Sequence, residues 1–497
     1  MKGMDRRTFI KSSLLATASF AALPALTGCQ TQRAKTPSTV NLRVRGANED
    51  IRMAVIGFGG RGGSHIDAFS KMPGVRLVAL CDCDTNILEG AAKRLQDKGT
   101  PVKSFTDVRK LLEDKDVDAI STATPNHWHS LITIWGCQAG KDVYVEKPVS
   151  HNIFEGRKAV EASRNYNRIV QAGTQSRSMP TYPEAWAWIR EGHIGKIKIA
   201  RGLCYKPRQS IGKVDGPQPI PANIDYDLWC GPALRLPLMR KRLHYDWHWV
   251  WNTGNGDMGN QGIHEMDKCR WALGKMELPA SVFSIGGRLG YVDDGETANT
   301  QMCVFNYGDA LLIFETRGLP RGKEFQEKGW SQSMDTYRGE RIGQIIECEG
   351  GYTNGHTAWD KDGQEIKKFA GKKENDHFGN FIKAVRSRKR EDQNADILEG
   401  HLSSALCHLG NISHRVGKLA DPDELQVALK KDSAAQETLA RMEEHLAKNG
   451  VDIKRTKLTL GPTLKIDSKA GQFIGNDKAN QLLTRAYRKP FVVPVKV

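Results

Sequence analysis

Gly57-Phe58-Gly59-Gly60-Arg61-Gly62 follows a short apolar stretch, Met53-Ala54-Val55-Ile56, and leads into helix-like spacing over residues 63–70. Such glycines permit a tight turn and close backbone approach, and a helix N-terminus behind them faces a pyrophosphate. A second apolar stretch, 75–81, ends in Asp82, about twenty residues beyond the loop, where a carboxylate meets ribose hydroxyls. Strand, loop, helix, strand and acid in this order read as a dinucleotide cradle, against the blander alternative of a tight strand-to-helix turn. Asp82 favours NAD, because a carboxylate repels a 2′-phosphate, while Arg61 leaves NADP open. Hydride transfer to a nicotinamide also needs a base for the hydroxyl proton and a cation to steady the developing alkoxide. Lys147 and His264 are of those types.

The elements that must position these groups alternate. A helix is expected over 107–113, a strand over 117–122, then the loop Thr124-Pro125-Asn126-His127-Trp128-His129 and a helix over 130–139. The strand over 142–145 delivers Glu146-Lys147-Pro148 at its carboxyl end, the edge of a doubly wound sheet where ligands sit. A helix over 153–165 and a strand over 169–171 complete a domain spanning 51–173. Further on, β-branched patterns over 197–205, 281–286, 297–306, 311–316 and 342–348 predict strands, and Asp362-Gly363 is a hairpin-turn signal.

The glycine loop, Thr124-Pro125-Asn126-His127, Glu146-Lys147-Pro148 and Gly259-Asn260-Gln261-Gly262-Ile263-His264-Glu265-Met266-Asp267 together resemble the Gfo/Idh/MocA oxidoreductases, from about Arg52 to about Arg415. The resemblance implies an α/β chain: an N-terminal Rossmann domain and a C-terminal α/β domain (174–415) whose open, mostly antiparallel sheet often builds an oligomer interface. It implies sugar or polyol substrates and cofactor contacts from Gly57, Gly59, Gly60, Arg61, Gly62, Asp82, Thr124, Asn126, His129, Glu146 and Lys147. It also implies that Lys147 bonds the reacting hydroxyl, with Glu146 and Pro148 fixing its approach, and that His264 serves as acid/base. The family usually places an aspartate four residues before that histidine. Here stands Asn260, which cannot take a proton but can bond a sugar hydroxyl; another acid, such as Asp246, is then a candidate to contribute.

The run His244-Tyr245-Asp246-Trp247-His248-Trp249-Val250-Trp251, if extended, would project His244, Asp246 and His248 to one side and the aromatic residues to the other. It is read as a substrate wall, with Asp246, Trp247 and His248 contacting sugar, because tryptophan faces stack on pyranose C–H surfaces. An aromatic-packed core segment is the alternative. A metal cluster is the weaker one, and no metal is expected. Gln175 is expected to contact the cofactor and Arg177 the substrate, with Tyr182 a lesser candidate. His401 and His408, two turns apart on an expected helix, read as structural. Residues 416–497 carry no motif and are expected to form a helical, basic appendage on the core or on a neighbouring subunit.

The first 29 residues read as an export signal: Arg6-Arg7-Thr8-Phe9-Ile10-Lys11 resembles the twin-arginine pattern and Leu26-Thr27-Gly28-Cys29 a lipobox, with a plain signal cleaved elsewhere as the alternative. Residues 30–50 are polar and read as a tether. No later segment offers the roughly twenty apolar residues of a membrane helix, so membrane contact is expected through lipidated Cys29 only, on the periplasmic side. The net charge of +16 is scattered, and the run Arg386-Ser387-Arg388-Lys389-Arg390 meets Glu391 and Asp392 at once, so nucleic acid is not expected as a partner. Ten cysteines, an odd nine without Cys29, are not a disulfide framework.

An exported enzyme meets no free nicotinamide pool, so the expectation is a tightly bound NAD regenerated in place. The favoured reading is oxidation of a sugar or glycoside hydroxyl, with a 3-keto sugar as the expected product, by a homo-oligomer (dimer or tetramer). A redox-neutral glycosidase, lyase or epimerase is the alternative; the family's NAD-dependent glycosidase branch tends to lack the lysine kept here. A non-catalytic, lipid-anchored carbohydrate-binding protein is the reading from a different class.

Overall fold

A computed structural model describes residues 49–330, 333–371 and 376–497. The export signal, Cys29 and most of the tether lie outside the described residues. Six parallel strands, β1 (Ile51–Ile56), β2 (Val75–Cys81), β3 (Lys103–Phe105), β4 (Ala119–Thr122), β5 (Asp142–Val145) and β6 (Val170–Ala172), lie in the order β3-β2-β1-β4-β5-β6. β1, β4 and β5 are buried along their whole length, as parallel strands covered on both faces must be. Arg52 is the polar exception in β1, and its guanidinium is absorbed by Asp116, Asp118 and the Lys115 carbonyl. The strand order reverses between β1 and β4, which opens a crevice at their carboxyl ends.

The second sheet carries β7 (Ile197–Tyr205), β8 (Ser281–Gly287), β9 (Thr300–Asn306), β10 (Leu311–Arg317), β11 (Ile342–Cys348), β12 (Gly351–Thr353), β13 (Thr357–Asp360) and β14 (Glu365–Lys368). Its ladders are antiparallel except for β7 against β10. The Asp362-Gly363 turn joins β13 to β14, with Gly363 at φ +83°. Residues alternate between two cores. Cys303, Phe305, Leu312 and Phe314 face the helices Ile263–Ala272 and Ile397–Arg415, whereas Met302, Val304 and Ile313 face the helix Ser433–Lys448.

Residues 416–497 are therefore integral to this sheet and not only helical. They add β15 (Lys418–Ala420), β16 (Leu458–Leu460), β17 (Leu464–Asp467) and β18 (Gln472–Phe473), and β16 and β17 both pair with β8. The helix Ser433–Lys448 lies over the outer face through Leu439, Met442 and Leu446, and through Arg441, which pairs with buried Glu315 at 2.7 Å. The last residues return to the first domain, where Phe491 packs edge-on against Trp128. All nine described cysteines are free, and no described helix is long and apolar enough to cross a membrane.

Candidate active site

The crevice between β1 and β4 continues into a cavity of about 340 Å³ that both domains line. Gly57 turns the chain at φ +73°, and a Cβ there would lie 2.5 Å from the Thr124 methyl, so the loops after β1 and β4 are pressed together. A Cβ on Gly62 would meet the Gly57 carbonyl oxygen at 2.1 Å, which makes Gly62 the packing glycine of the turn. It is the first residue of the helix Gly62–Lys71 and does not line the cavity. Gly60, by contrast, borders open space. Asp82 accepts from the Phe58 N–H at 3.0 Å and the Asp84 N–H at 3.1 Å, so it fixes the loop as well as facing the cavity. Burial holds its pKa above the ordinary carboxylate range despite these bonds.

β5 places Glu146 and Lys147 at the cavity's inner end. Glu146 is buried and accepts from Arg61 Nε (3.1 Å), Gln175 Nε2 (2.9 Å) and the backbone N–H of Lys147 (3.2 Å), with His65 Nε2 3.2 Å away. Burial alone would raise its pKa, but His65, Lys147 and Arg61 outweigh it and keep it ionised. Lys147 Nζ donates to the Asn260 carbonyl at 2.7 Å. Burial lowers the Lys147 pKa, the nearby charges of Arg61 and Lys206 lower it further, and Glu146 opposes them. His129 anchors the wall through Pro148 O (2.6 Å) and Thr124 O (2.7 Å), and Asn126 reaches Asn255 across the domain boundary at 3.1 Å.

Asn260 sits on a single π-helical turn, Met258–Gly262, that feeds the helix Ile263–Ala272; such wide turns recur at functional sites. Its side chain reaches Asp257, which in turn holds Arg208 at 2.7 and 2.8 Å. His264 follows on the helix, off the cavity lining but in electrostatic reach of Lys147. It has no hydrogen-bond partner among the described residues, and burial, then Lys147, pushes its pKa down to about 3. Among the described residues no carboxylate is hydrogen-bonded to it, and the more distant charges of Glu146 and Asp267 do not offset its burial.

The aromatic run is not extended. Residues Asp246–Trp249 form a 3₁₀ turn after Tyr245, whose φ is +66°, so the expected alternation of faces is lost. His244, Tyr245, Trp247 and His248 all line the cavity, with Trp247 stacked on His248 at 3.6 Å between centroids. Asp246 instead turns inward to Arg242 (2.7 and 3.1 Å) and is unavailable to a substrate. Gln175 touches Glu146 and the Tyr144 hydroxyl rather than the cavity. Arg177 is buried against Asp267 and Glu399 and does not reach the cavity, so its expected substrate contact is corrected to a structural ion pair. Tyr182, His401 and His408 are buried elsewhere. Among the described residues no cluster of three metal-ligating side chains exists.

Sequence reasoning missed the cover. Between β7 and the π-helical turn, a long segment folds over the carboxyl ends of β2 and β4, bringing Leu228 and Trp229 to the cavity. Asn223 O accepts from the Thr85 N–H (2.9 Å), Cys83 O from the Asp225 N–H (3.2 Å), and Asp84 pairs with Asn223 (2.7 Å) and His244 (3.0 Å). On the far side, Trp128 Nε1 donates to Leu228 O and Trp229 O, both at 3.1 Å. Arg488 near the C-terminus clamps the same turn through Asp227 and the Gly231 carbonyl. These contacts join stretches a hundred or more residues apart that share no local pattern. His65, buried between Ser121 and Glu146, was likewise without a signal.

Residues 51–174 match the model of an oxidoreductase family with an NAD-binding Rossmann fold, and residues 195–306 match that family's C-terminal α/β domain. The glycosyl hydrolase family 109 protein 2 of Shewanella sp. (strain ANA-3) is 34% identical over 164 residues, 31% of this chain and 36% of that protein. The inositol 2-dehydrogenase of Rubrobacter xylanophilus is 33% identical over 161 residues, 32% of this chain and 45% of that one. The matches thus span well under two thirds of these relatives. Among solved structures, the WlbA dehydrogenase of Bordetella pertussis, in complex with NADH and UDP-GlcNAcA, superposes with a TM-score of 0.54 at 20% identity, over 74% of this chain and 97% of that one, a likeness of fold.

Proposed function

Because the chain belongs to the Gfo/Idh/MocA oxidoreductases and carries their NAD-binding Rossmann domain, we propose that it oxidises a hydroxyl of a sugar or glycoside while retaining its NAD between turnovers. The observation that carries this reading is the convergence of the dinucleotide cradle, Lys147, and the Trp247 and His248 rings in one covered cavity. The cradle fits the cofactor: Gly60 borders open space ahead of a helix N-terminus, and Asp82 faces the cavity beside it. Arg61 is engaged by Glu146, which favours NAD over NADP.

Bound NAD supplies the acceptor for the hydride that leaves the carbinol carbon. The chain must supply the rest. Lys147, with its depressed pKa, takes the hydroxyl proton, and the ammonium formed is held by the Asn260 carbonyl and the Glu146 charge. His264, neutral above about pH 3 and set back from the cavity lining, is not the group that stores the proton. Trp247 offers a face to the sugar ring and the Asn260 amide a partner for a neighbouring hydroxyl. The covering segment supports slow cofactor release, which an exported enzyme with the twin-arginine signal and a lipid anchor at Cys29 requires. A homo-oligomer of this chain would use the sheet around β11 to β14, since the helix Ser433–Lys448 occupies the outer face of β9 and β10.

The name of the Shewanella relative favours a second reading, a redox-neutral glycosidase in which oxidation, elimination and re-reduction occur on one substrate. The first experiment purifies the mature protein without added cofactor, denatures it, and quantifies released nucleotide by absorbance and mass. Near-stoichiometric NAD(H) supports the proposal. Nitrophenyl glycosides then separate the two readings: ketone formation with net reduction of an acceptor marks the dehydrogenase, and nitrophenolate release without it marks the glycosidase. Protein that is free of nucleotide and fails to bind added NAD overturns both, in favour of a carbohydrate-binding protein.

A further inference from the structure

A second cavity, of about 360 Å³, lies where the C-terminal residues cross the domain boundary, lined by His151, Trp251, Asn255, Arg415, Leu482 and Arg485 among others. Its polar groups are out of balance. Arg485 donates to Asn252 O (2.9 Å), Asn252 Oδ1 (2.7 Å) and His151 Nδ1 (3.3 Å), and its Nε is buried without a partner. A guanidinium has no acceptor, so His151 Nδ1 must be the lone-pair nitrogen and the ring proton sits on Nε2. That Nε2 is also buried without a partner. Arg415 stands over the Trp251 ring at 5.2 Å and makes no hydrogen bond or ion pair among the described residues. Two guanidiniums and an imidazole thus border one space, and neither guanidinium is hydrogen-bonded to a carboxylate among the described residues, Glu155 and Glu296 acting on Arg485 and Arg415 only from farther off. Buried donors without acceptors, such as Arg485 Nε and His151 Nε2, are costly, and no oxyanion is hydrogen-bonded to this set among the described residues.

We propose that this cavity is a binding site for a small molecule bearing a carboxylate or phosphate. The oxyanion sits among the side chains of Arg485, His151 and Arg415, and the rest of the molecule lies against Trp251, Leu482 and the neighbouring Leu234 and Leu236. The site is separate from the cofactor cavity but one side chain away from it. Asn255 donates to the His151 carbonyl (3.1 Å) and accepts from Asn126 in the cofactor wall (3.1 Å). Occupancy can therefore be sensed there.

The test is calorimetric titration of the NAD-saturated full chain with inorganic phosphate, glucose 6-phosphate and glucuronate at constant ionic strength. Saturation with NAD keeps phosphate out of the dinucleotide cradle. Saturable binding of one equivalent is expected for at least one of them, weakened tenfold or more in Arg415→Gln and in Arg485→Lys, and unchanged in Arg338→Gln, a cation outside the cavity. The two sugar arms tell whether phosphate or carboxylate is preferred. Arg415 is exposed and its replacement leaves the core untouched, so loss of binding in that variant is not loss of fold. Absence of saturable binding, or equal weakening by Arg338→Gln as general attraction to a chain of charge +16 would give, overturns the proposal.

Discussion

Lys147 Nζ and the Asn260 carbonyl oxygen lie 2.7 Å apart, and this one hydrogen bond ties the end of β5 in the first domain to the π-helical turn in the second. It holds the amine where the cofactor cavity and the substrate wall meet. Because the Asn260 backbone and not its side chain receives the bond, the asparagine amide is left to other partners.

Lys147→Ala should abolish oxidation while leaving the cofactor in place. Loss of a positioned acid/base costs about 10²- to 10⁴-fold, and among the described residues Lys147 makes no hydrogen bond to the glycine loop. Turnover with a glycoside and the amount of nucleotide released on denaturation should diverge in this variant. A parallel loss of both would show that Lys147 acts through folding of the cradle.

Asp82→Asn should weaken the cradle in two ways, because the carboxylate holds the Phe58 and Asp84 N–H groups and also faces the ribose position. A drop of about tenfold or more in NAD affinity is expected, with one or two kcal/mol less stability from the weakened charged acceptor. Equilibrium dialysis and thermal melts check this separately. Unchanged affinity would mean that the ribose is bound elsewhere.

Stability should fall steadily as pH drops below 6.5. Burial depresses the pKa values of His127, His248, His264, His401 and His408 to about 3 each. The unfolded chain therefore binds more protons than the folded one between pH 6.5 and 3, and each such group contributes stability that is present above 6.5 and is lost toward 3, about 1.4 kcal/mol per unit of depression. Glu265 runs the other way, since burial raises it to about 7 and its contribution is lost as pH rises from 4.5 through 7. Asp82, Glu155 and Glu443, which burial also raises, act in the same sense as Glu265, and the five histidines outweigh them. Melting temperature against pH should show a positive slope across 4.5 to 6.5, and a flat profile would contradict the buried, neutral histidines.

What the sequence made legible followed from period and punctuation. The apolar run of β1, the glycines and Asp82 have local causes, and the expected strands at 142–145, 197–205 and 342–348 coincide with β5, β7 and β11. Alternation failed at His244 to Trp251 because the positive φ of Tyr245 and the Arg242–Asp246 pair fold the run into a turn. Arg177 was misassigned because its partners, Asp267 and Glu399, come from helices 90 and more residues away. The cover was invisible for the same reason: Trp229 belongs to the cavity only because Asp84, Trp128 and Arg488 hold its loop there.

That cover yields the sharpest prediction about cofactor retention. Asp84 receives His244 and Asn223 on one edge of the covering segment, and Arg488 grips Asp227 and Gly231 on another. If these contacts gate departure, Arg488→Ala and His244→Ala should each speed NAD release about tenfold, roughly 1.4 kcal/mol in the release barrier, without touching the glycine loop. Neither substitution removes a group placed at the hydride-transfer centre, so single-turnover oxidation in pre-loaded protein should stay within a few-fold. Dilution of loaded protein into a nucleotide trap, followed by the decay of bound NAD, measures the rate directly. Release unchanged in both variants would mean that the segment covers the cavity without restraining what it holds.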